Sequence, residues 1–303
     1  MITYNHEDYI TKAISGVLIQ ETTYPYELII GEDNSTDNTR INCIREQQAN
    51  SNLIRLLLPS KNLGMSRNFY ETMQSAQGKY IAFCEGDDYW TDPQKLQKQV
   101  DFLEANPDYS FCCHRFSTYN ETSGKWDDDA PNNYRAKLFE GKEYIDINLK
   151  SQFKIWLTQP LTVVFRREAL DFEFVQQYKY FRDVHLFYHL LKKGKGRTMN
   201  FVGAVYRQHG GGVYSQVSDE KKLYESTQIQ KELHILNPDD AILKRVYLKV
   251  IEKYIVRFPM NKGVVDILKQ EYVNTIAVFC PHLFLYLRIK QQQVKYVLKN
   301  LLK

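Results

Sequence analysis

The chain has no apolar run near the roughly 20 residues needed to cross a bilayer, and no stretch reads as a secretory signal peptide. Cysteine is scarce: Cys43, Cys84, Cys112, Cys113 and Cys280 form neither a CxxC pair nor a disulfide framework. Cys84 and Cys112 lie inside apolar runs and read as buried thiols, so a reducing cytoplasm is the expected compartment. There is no internal repeat and no low-complexity tract, and the composition excludes a fibre or a disordered chain. No nucleic-acid module is present, nor basic residues interleaved with aromatics, so nucleic acid is not an expected partner.

What is present suits one large domain, or one domain with an appendage: 303 residues, 43% hydrophobic and 25% charged. The net charge of +4 hides an asymmetry. Ala241 to Lys303 carries 12 Lys/Arg against 3 Asp/Glu, leaving residues 1–240 at −5. The basic end admits a solvated face, or peripheral contact with the anionic inner face of the plasma membrane. The apolar stretch "IAVFCPHLFLYL" is too short to span and suits a membrane surface or a helix interface.

Along the first hundred residues, helix and strand signals alternate. Tyr9, Ile10, Ala13, Ile14, Val17 and Leu18 make a helix stripe. Strands are expected over Glu27–Gly31, Leu53–Leu58 and Tyr80–Cys84. Helices are expected over Arg40–Gln48 and Ser66–Ala76, and after Pro93. The strands are apolar throughout, as when both faces are covered, which predicts an α/β, doubly wound, Rossmann-like sheet of mostly parallel strands. Farther on, Phe111–Phe116, Leu161–Arg166 and Thr198–Gln208 read as strands and Asp183–Lys192 as a helix. From Asp219 only helices are expected, broken near Asn237-Pro238, Pro259 and Pro281. The expected domains are 1–218, α/β, and 219–303, a helical basic extension. One feature departs from the pattern: "MITYN" leaves almost no strand before the first helix. Either this edge is naturally short, or Met1 is internal and restoring upstream residues would raise the melting temperature.

Ligands in such sheets bind beyond the carboxyl ends of the strands. "EDNSTD" and "EGDD" both fall there, so two acidic clusters are expected at one crevice. Glu85, Asp87 and Asp88 crowd the end of an apolar run, where like charges repel and burial is costly. Adjacent carboxylates on such a loop suit a hard cation, Mg²⁺ or Mn²⁺, that keeps positions open for phosphates. A solvated acidic turn capping the next helix is the plainer alternative.

"MITYNHEDYI", "EDNSTDNT", "NLGMSRN" and "CEGDDYWTDPQKLQKQVDFLEANP", in that order, resemble the family 2 glycosyltransferases, whose nucleotide-sugar domain has the GT-A fold. The resemblance covers about residues 1–215. It implies that Asp87 and Asp88 form the DxD-type motif, with Asp87 near the ribose and Asp88 on the metal. It implies that Asp33 contacts the base, usually uracil, that Tyr4 and Glu7 line the same pocket, and that Arg67 lies near the donor. Inverting members place a catalytic base in an "ED" pair at a helix start. Here the pair is "RD", so the base role passes to Asp183, with Arg182 lowering its pKa if the side chains touch. "VYRQHGGGVYS" resembles the segment that closes over the donor diphosphate, with His209 as a further metal or phosphate contact and the glycines as a mobile lid. Tyr89 and Trp90 fit a sugar-site floor or simple core packing, and Trp156 and Gln159 face an acceptor by position alone. The function implied is metal-dependent, inverting transfer of a sugar, from a UDP-sugar, to a hydroxyl of a glycan or lipid-linked acceptor in surface polysaccharide synthesis. A sugar-phosphate nucleotidyltransferase and a non-catalytic nucleotide-sugar binding protein are the rivals. Against the first, the sequence shows no glycine-rich, Lys/Arg-bearing triphosphate loop near its start.

Overall fold

A computed structural model describes residues 1–128, 137–212, 217–275, 285–293 and 296. The chain forms two compact units, Met1–Gly212 and Val213–Lys303.

The first unit opens with three parallel strands, β1 (Ile2–Thr3), β2 (Leu28–Glu32) and β3 (Ile54–Leu57), in the order β1-β2-β3. Every residue of β2 is buried, as its unbroken apolar run requires when helices cover both faces. The intervening helices are α1 (Ile10–Leu18), α2 (Thr39–Ala49) and α3 (Met65–Gln74). Helix α1 buries Ile10, Ala13, Ile14 and Val17 at the spacing read from the sequence. Gly64 precedes α3 at φ 82°, a conformation glycine adopts without penalty.

The remaining strands form a mixed sheet. They are β4 (Tyr80–Ala82), β5 (Tyr89–Trp90), β6 (Tyr109–Asn120), β7 (Lys125–Asp128), β8 (Tyr144–Ile147), β9 (Val164–Arg166) and β10 (Lys195–Gln208). Their order is β4-β9-β6-β10-β5, with β7 on β6 and β8 on β10. The long strands β6 and β10 pair in parallel; the other pairings are antiparallel. The run expected as one strand over Leu161–Arg166 starts as a 3₁₀ turn at Pro160–Thr162, where proline supplies no strand donor. Helix α4 (Lys95–Ala105) follows β5. The helical turns α5 (Leu149–Gln152) and α6 (Phe172–Val175) and the helix α7 (Asp183–Lys193) complete the unit. Its core gathers Ile10, Ile14, Ile30, Leu103, Cys112 and Leu161, all essentially inaccessible. Cys43, Cys84, Cys112 and Cys113 are free, buried thiols.

Two links bring the strand ends together. Gly86 N–H donates to Ile2 O at 2.9 Å, tying the loop after β4 to β1, and Asp33 N–H donates to Thr3 O at 3.0 Å. Below them β1 is only two residues long, and β2 and β4 belong to different sheets. An apolar groove of about 500 Å³ is walled by Leu28, Ile29, Ile81 and Phe83.

The second unit holds α8 (Asp219–Leu236), α9 (Ala241–Arg257) and α10 (Lys262–Thr275). The breaks fall at Asn237-Pro238 and around Pro259. Ser218 caps α8 and Asp240 caps α9 through their side chains. Ile251, Tyr254, Leu268 and Tyr272 form its core. Buried Glu252 accepts Tyr272 OH at 2.7 Å and meets Arg288 at 3.1 Å, so the charge is paired as burial demands. The break at Pro281 and most of "IAVFCPHLFLYL" lie outside the described residues, as do residues 213–216 after the glycine triplet.

Candidate active site

The loop after β4 approaches β1 because residue 86 is glycine. A Cβ there would lie 2.5 Å from Thr3 Oγ1 and 3.0 Å from His6 Nδ1. Only a residue without one lets Asp87 and Asp88 sit against the end of β1.

Asp88 is buried, and its Oδ1 accepts the Arg207 backbone N–H of β10 at 2.8 Å. Burial, then the charges of Asp87 and Glu85, pushes its carboxyl well above the ordinary range. Asp87 Oδ2 lies 3.3 Å from His209 Nε2 and 3.8 Å from His6 Nε2. Burial acts to raise Asp87, but the His209 hydrogen bond and the His6 charge outweigh it and hold this carboxyl below the ordinary range. Glu85 is pushed up to about 8 by burial and then by Asp87, and its Oε2 is buried without a hydrogen-bond partner. The site therefore holds three crowded carboxyls facing two histidines, and burial lowers the pKa of one of them, His6. That shortage of positive charge, with an orphaned carboxylate oxygen beside it, fits a divalent cation. Among the described residues no three His, Cys, Asp or Glu side chains converge on one point to hold a metal by themselves. A magnesium-like ion completed by donor phosphates needs only one or two protein oxygens.

Asp183 is the first residue of α7, and Arg182 before it is the N-cap. Its Oδ1 accepts the Val184 N–H at 2.9 Å. Arg182 instead reaches α3, donating from Nη1 to Ser66 Oγ at 3.0 Å. Burial raises the Asp183 pKa, and the Arg182 charge only partly opposes it. The charge of Asp183 also raises Glu85 and Tyr206, as do the carboxylates of the acidic loop in the case of Tyr206. Asp183 is therefore close enough for its charge to act on Glu85, roughly a hundred positions earlier.

Asp33 neither caps α2 nor closes an Asx turn. It is buried, and its two oxygens accept Leu63 N–H at 2.7 Å and Gly64 N–H at 3.0 Å, anchoring the loop ahead of α3. Glu7 Oε2 accepts both Asn38 N–H, at 3.0 Å, and Asn38 Nδ2, at 2.7 Å. The loop after β1 is thus clasped to the loop after β2. Tyr4, in that loop, is exposed. Arg67 is largely exposed and pairs with Glu71 at 2.7 Å. Trp90 belongs to the core: its Nε1 donates to Leu161 O at 2.9 Å and Lys95 Nζ lies 4.0 Å above its ring.

The sequence offered Glu85 only as one of three crowded carboxylates, and gave no part to His6 or Arg207. Glu85 stood in the quoted loop, and its role follows once burial is known. His6 shows no ligand spacing along the chain, and only the approach of β1 to β4 brings it to Asp87. Arg207 acts through its backbone N–H, which no residue type announces.

A family model, Glycosyl transferase family 2, matches residues 1–174. An uncharacterized protein of Mycobacterium tuberculosis is 35% identical over 228 residues, which is 74% of this chain and 62% of that relative. The chain thus spans less than two thirds of that relative's length. A UDP-Glc:alpha-D-GlcNAc-diphosphoundecaprenol beta-1,3-glucosyltransferase of Escherichia coli is 27% identical over 247 residues, covering 77% of this chain and 84% of the relative. Among solved structures, S. aureus TarS in complex with UDP-GlcNAc superposes with a TM-score of 0.64 at 15% identity, covering 91% of this chain and 80% of that one. A mannosyltransferase from Pyrobaculum calidifontis in complex with GDP-Man and Mn²⁺ gives 0.54 at 14% identity, with coverages of 97% and 81%. These structural likenesses are to the GT-A fold. Because that family model matches more than half of its length, the chain belongs to glycosyl transferase family 2.

Proposed function

We propose that the chain transfers a sugar from a nucleotide sugar, of the UDP type, to a hydroxyl of a glycan or lipid-linked acceptor, with inversion at the anomeric carbon. The observation that carries this reading is the crowding of Glu85, Asp87 and Asp88 at the end of β1, with Asp183 close enough for its charge to act on Glu85. Asp183 is the general base that takes the acceptor proton, and its burial makes it a stronger base than an exposed aspartate. Asp88 and His209 hold Mg²⁺ or Mn²⁺, as the family resemblance implies, and Asp87 stands beside His209 as a further oxygen donor. When bound, such an ion offsets the charge that builds on a departing nucleoside diphosphate. Asp87, Asp33, Tyr4, Glu7 and Arg67 border the nucleotide on this reading. A domain over 1–218 would carry the chemistry, and the basic helices of 219–303 would rest on an anionic membrane face. Among the described residues no helix is long and apolar enough to cross a membrane. The diphosphoundecaprenol-linked substrate in the name of the E. coli relative supports a lipid-linked acceptor in polysaccharide synthesis.

Calorimetry with UDP, with and without Mn²⁺, tests this directly. Metal-dependent UDP binding is expected, and its absence would overturn the reading. Asp88→Ala should abolish turnover with the fold intact. Free nucleoside diphosphate as product, and not pyrophosphate, excludes a nucleotidyltransferase.

A further inference from the structure

A second pocket of about 570 Å³ abuts the site, within the range of roughly 300–1,000 Å³ typical of small-molecule sites. One wall is aromatic. Trp126 of β7 sits directly opposite Tyr119 of β6, and the two rings lie 4.7 Å apart on one face of the hairpin. Trp126 is 58% exposed, a costly position for the largest apolar side chain unless something covers it. The floor is polar. Arg207 is only 7% exposed, with its guanidinium between the rings of Tyr9, at 5.1 Å, and Tyr89, at 4.6 Å. Its Nη1 is buried and has no hydrogen-bond partner, so a donor stands ready for a ligand oxygen. Tyr9 OH donates to Glu121 at 2.8 Å, and the Tyr9 ring lies 4.5 Å from that of His209, which joins this pocket to the acidic loop.

Charge decides the ligand. The pocket holds two cations, Lys12 and Arg207, and two carboxylates, Asp8 and Glu121. A phosphate or an acidic peptide would meet as much repulsion as attraction. A neutral polyhydroxylated ring meets both donors and acceptors, and its C–H face covers the aromatic wall.

We propose that this pocket is a binding subsite for a neutral saccharide unit of the acceptor glycan, stacked on Trp126 and Tyr119 and hydrogen-bonded by Arg207 Nη1. The identification of that saccharide as the acceptor rests on the transferase reading; its binding does not.

The test uses the full chain without nucleotide. Neutral hexasaccharides of glucose, galactose and N-acetylglucosamine are titrated while tryptophan fluorescence and heat are recorded. Trp90 is buried in the core and Trp156 is half-buried, so Trp126 is the most exposed of the three tryptophans. At least one saccharide should bind and change the emission. Trp126→Ala should weaken that binding by about tenfold or more, the loss expected for one aromatic stacking contact, while UDP–Mn²⁺ affinity stays unchanged. No binding by any of the hexasaccharides, or equal binding by Trp126→Ala, overturns the subsite. Loss of UDP–Mn²⁺ binding in the native chain with saccharide binding intact would sink the transferase reading and leave this pocket standing.

Discussion

At the scale of single residues, burial and partner charge pull in opposite directions, and burial wins at Asp183. Its pKa is raised because burial outweighs the Val184 N–H bond and the charge of Arg182, whose guanidinium turns to Ser66. Two outcomes follow. Asp183→Asn should lower kcat by about 10²–10⁴-fold, the usual range for losing a general base, with UDP affinity unchanged. In the native chain, kcat should rise with pH through an acid limb above the ordinary aspartate value of about 3.9, because only the ionised form accepts a proton. The sign for stability is opposite. Below both pKa values folded and unfolded chains bind the same proton. As pH rises, the unfolded chain releases it first, so the native state loses stability until Asp183 too has ionised. Asp183→Asn should therefore raise the melting temperature at neutral pH while it removes activity. A lowered midpoint, or full turnover, would contradict the assignment. The sequence put Asp183 at a helix start, but it gave no sign of where Arg182 would point.

At the scale of elements, the short β1 and the loop after β4 depend on each other. Ile2 O accepts Gly86 N–H, and the hydrogen-bonded pair Thr3–His6 fills the space a side chain at 86 would need. Gly86→Ala should cost about 1–3 kcal/mol, the usual penalty of overpacking, read by urea denaturation. It should also weaken UDP–Mn²⁺ binding, because Asp87 and His6 are pushed apart. An alanine variant with native stability and affinity would show that the loop yields cheaply. Helix positions were legible because apolar residues recur at helical spacing and glycine or proline punctuates them: α1, α3 and the breaks after α8 and α9 fall where expected. The mixed pairing of β4 with β9 was not legible. Strand runs of three residues carry no record of their partner's direction.

At the scale of the whole molecule, chemistry and basic charge occupy different parts of the chain. Residues 241–303 carry a surplus of 9 Lys/Arg over Asp/Glu, and the few acids of their described helices are largely committed: Glu252 to Tyr272 and Arg288, and Glu271 to Lys231 and Tyr247. The full chain should co-sediment with vesicles containing phosphatidylglycerol and leave them as salt is raised, at up to about 1 kcal/mol per basic residue at the surface. Equal binding to neutral phosphatidylcholine vesicles, or none at low salt, would reject the membrane role. By itself the sequence determined the alternation of strand and helix, the acidic loop at a strand end and the basic helical end, because each is written in neighbouring residues. Only the tertiary structure decided that Asp87 meets His209 across 122 positions, that Arg207 N–H holds Asp88, and that Trp126 shares a pocket with Tyr9. Such pairings depend on sheet order and strand register, which are set by the packing of the whole core and not by any local run of side chains.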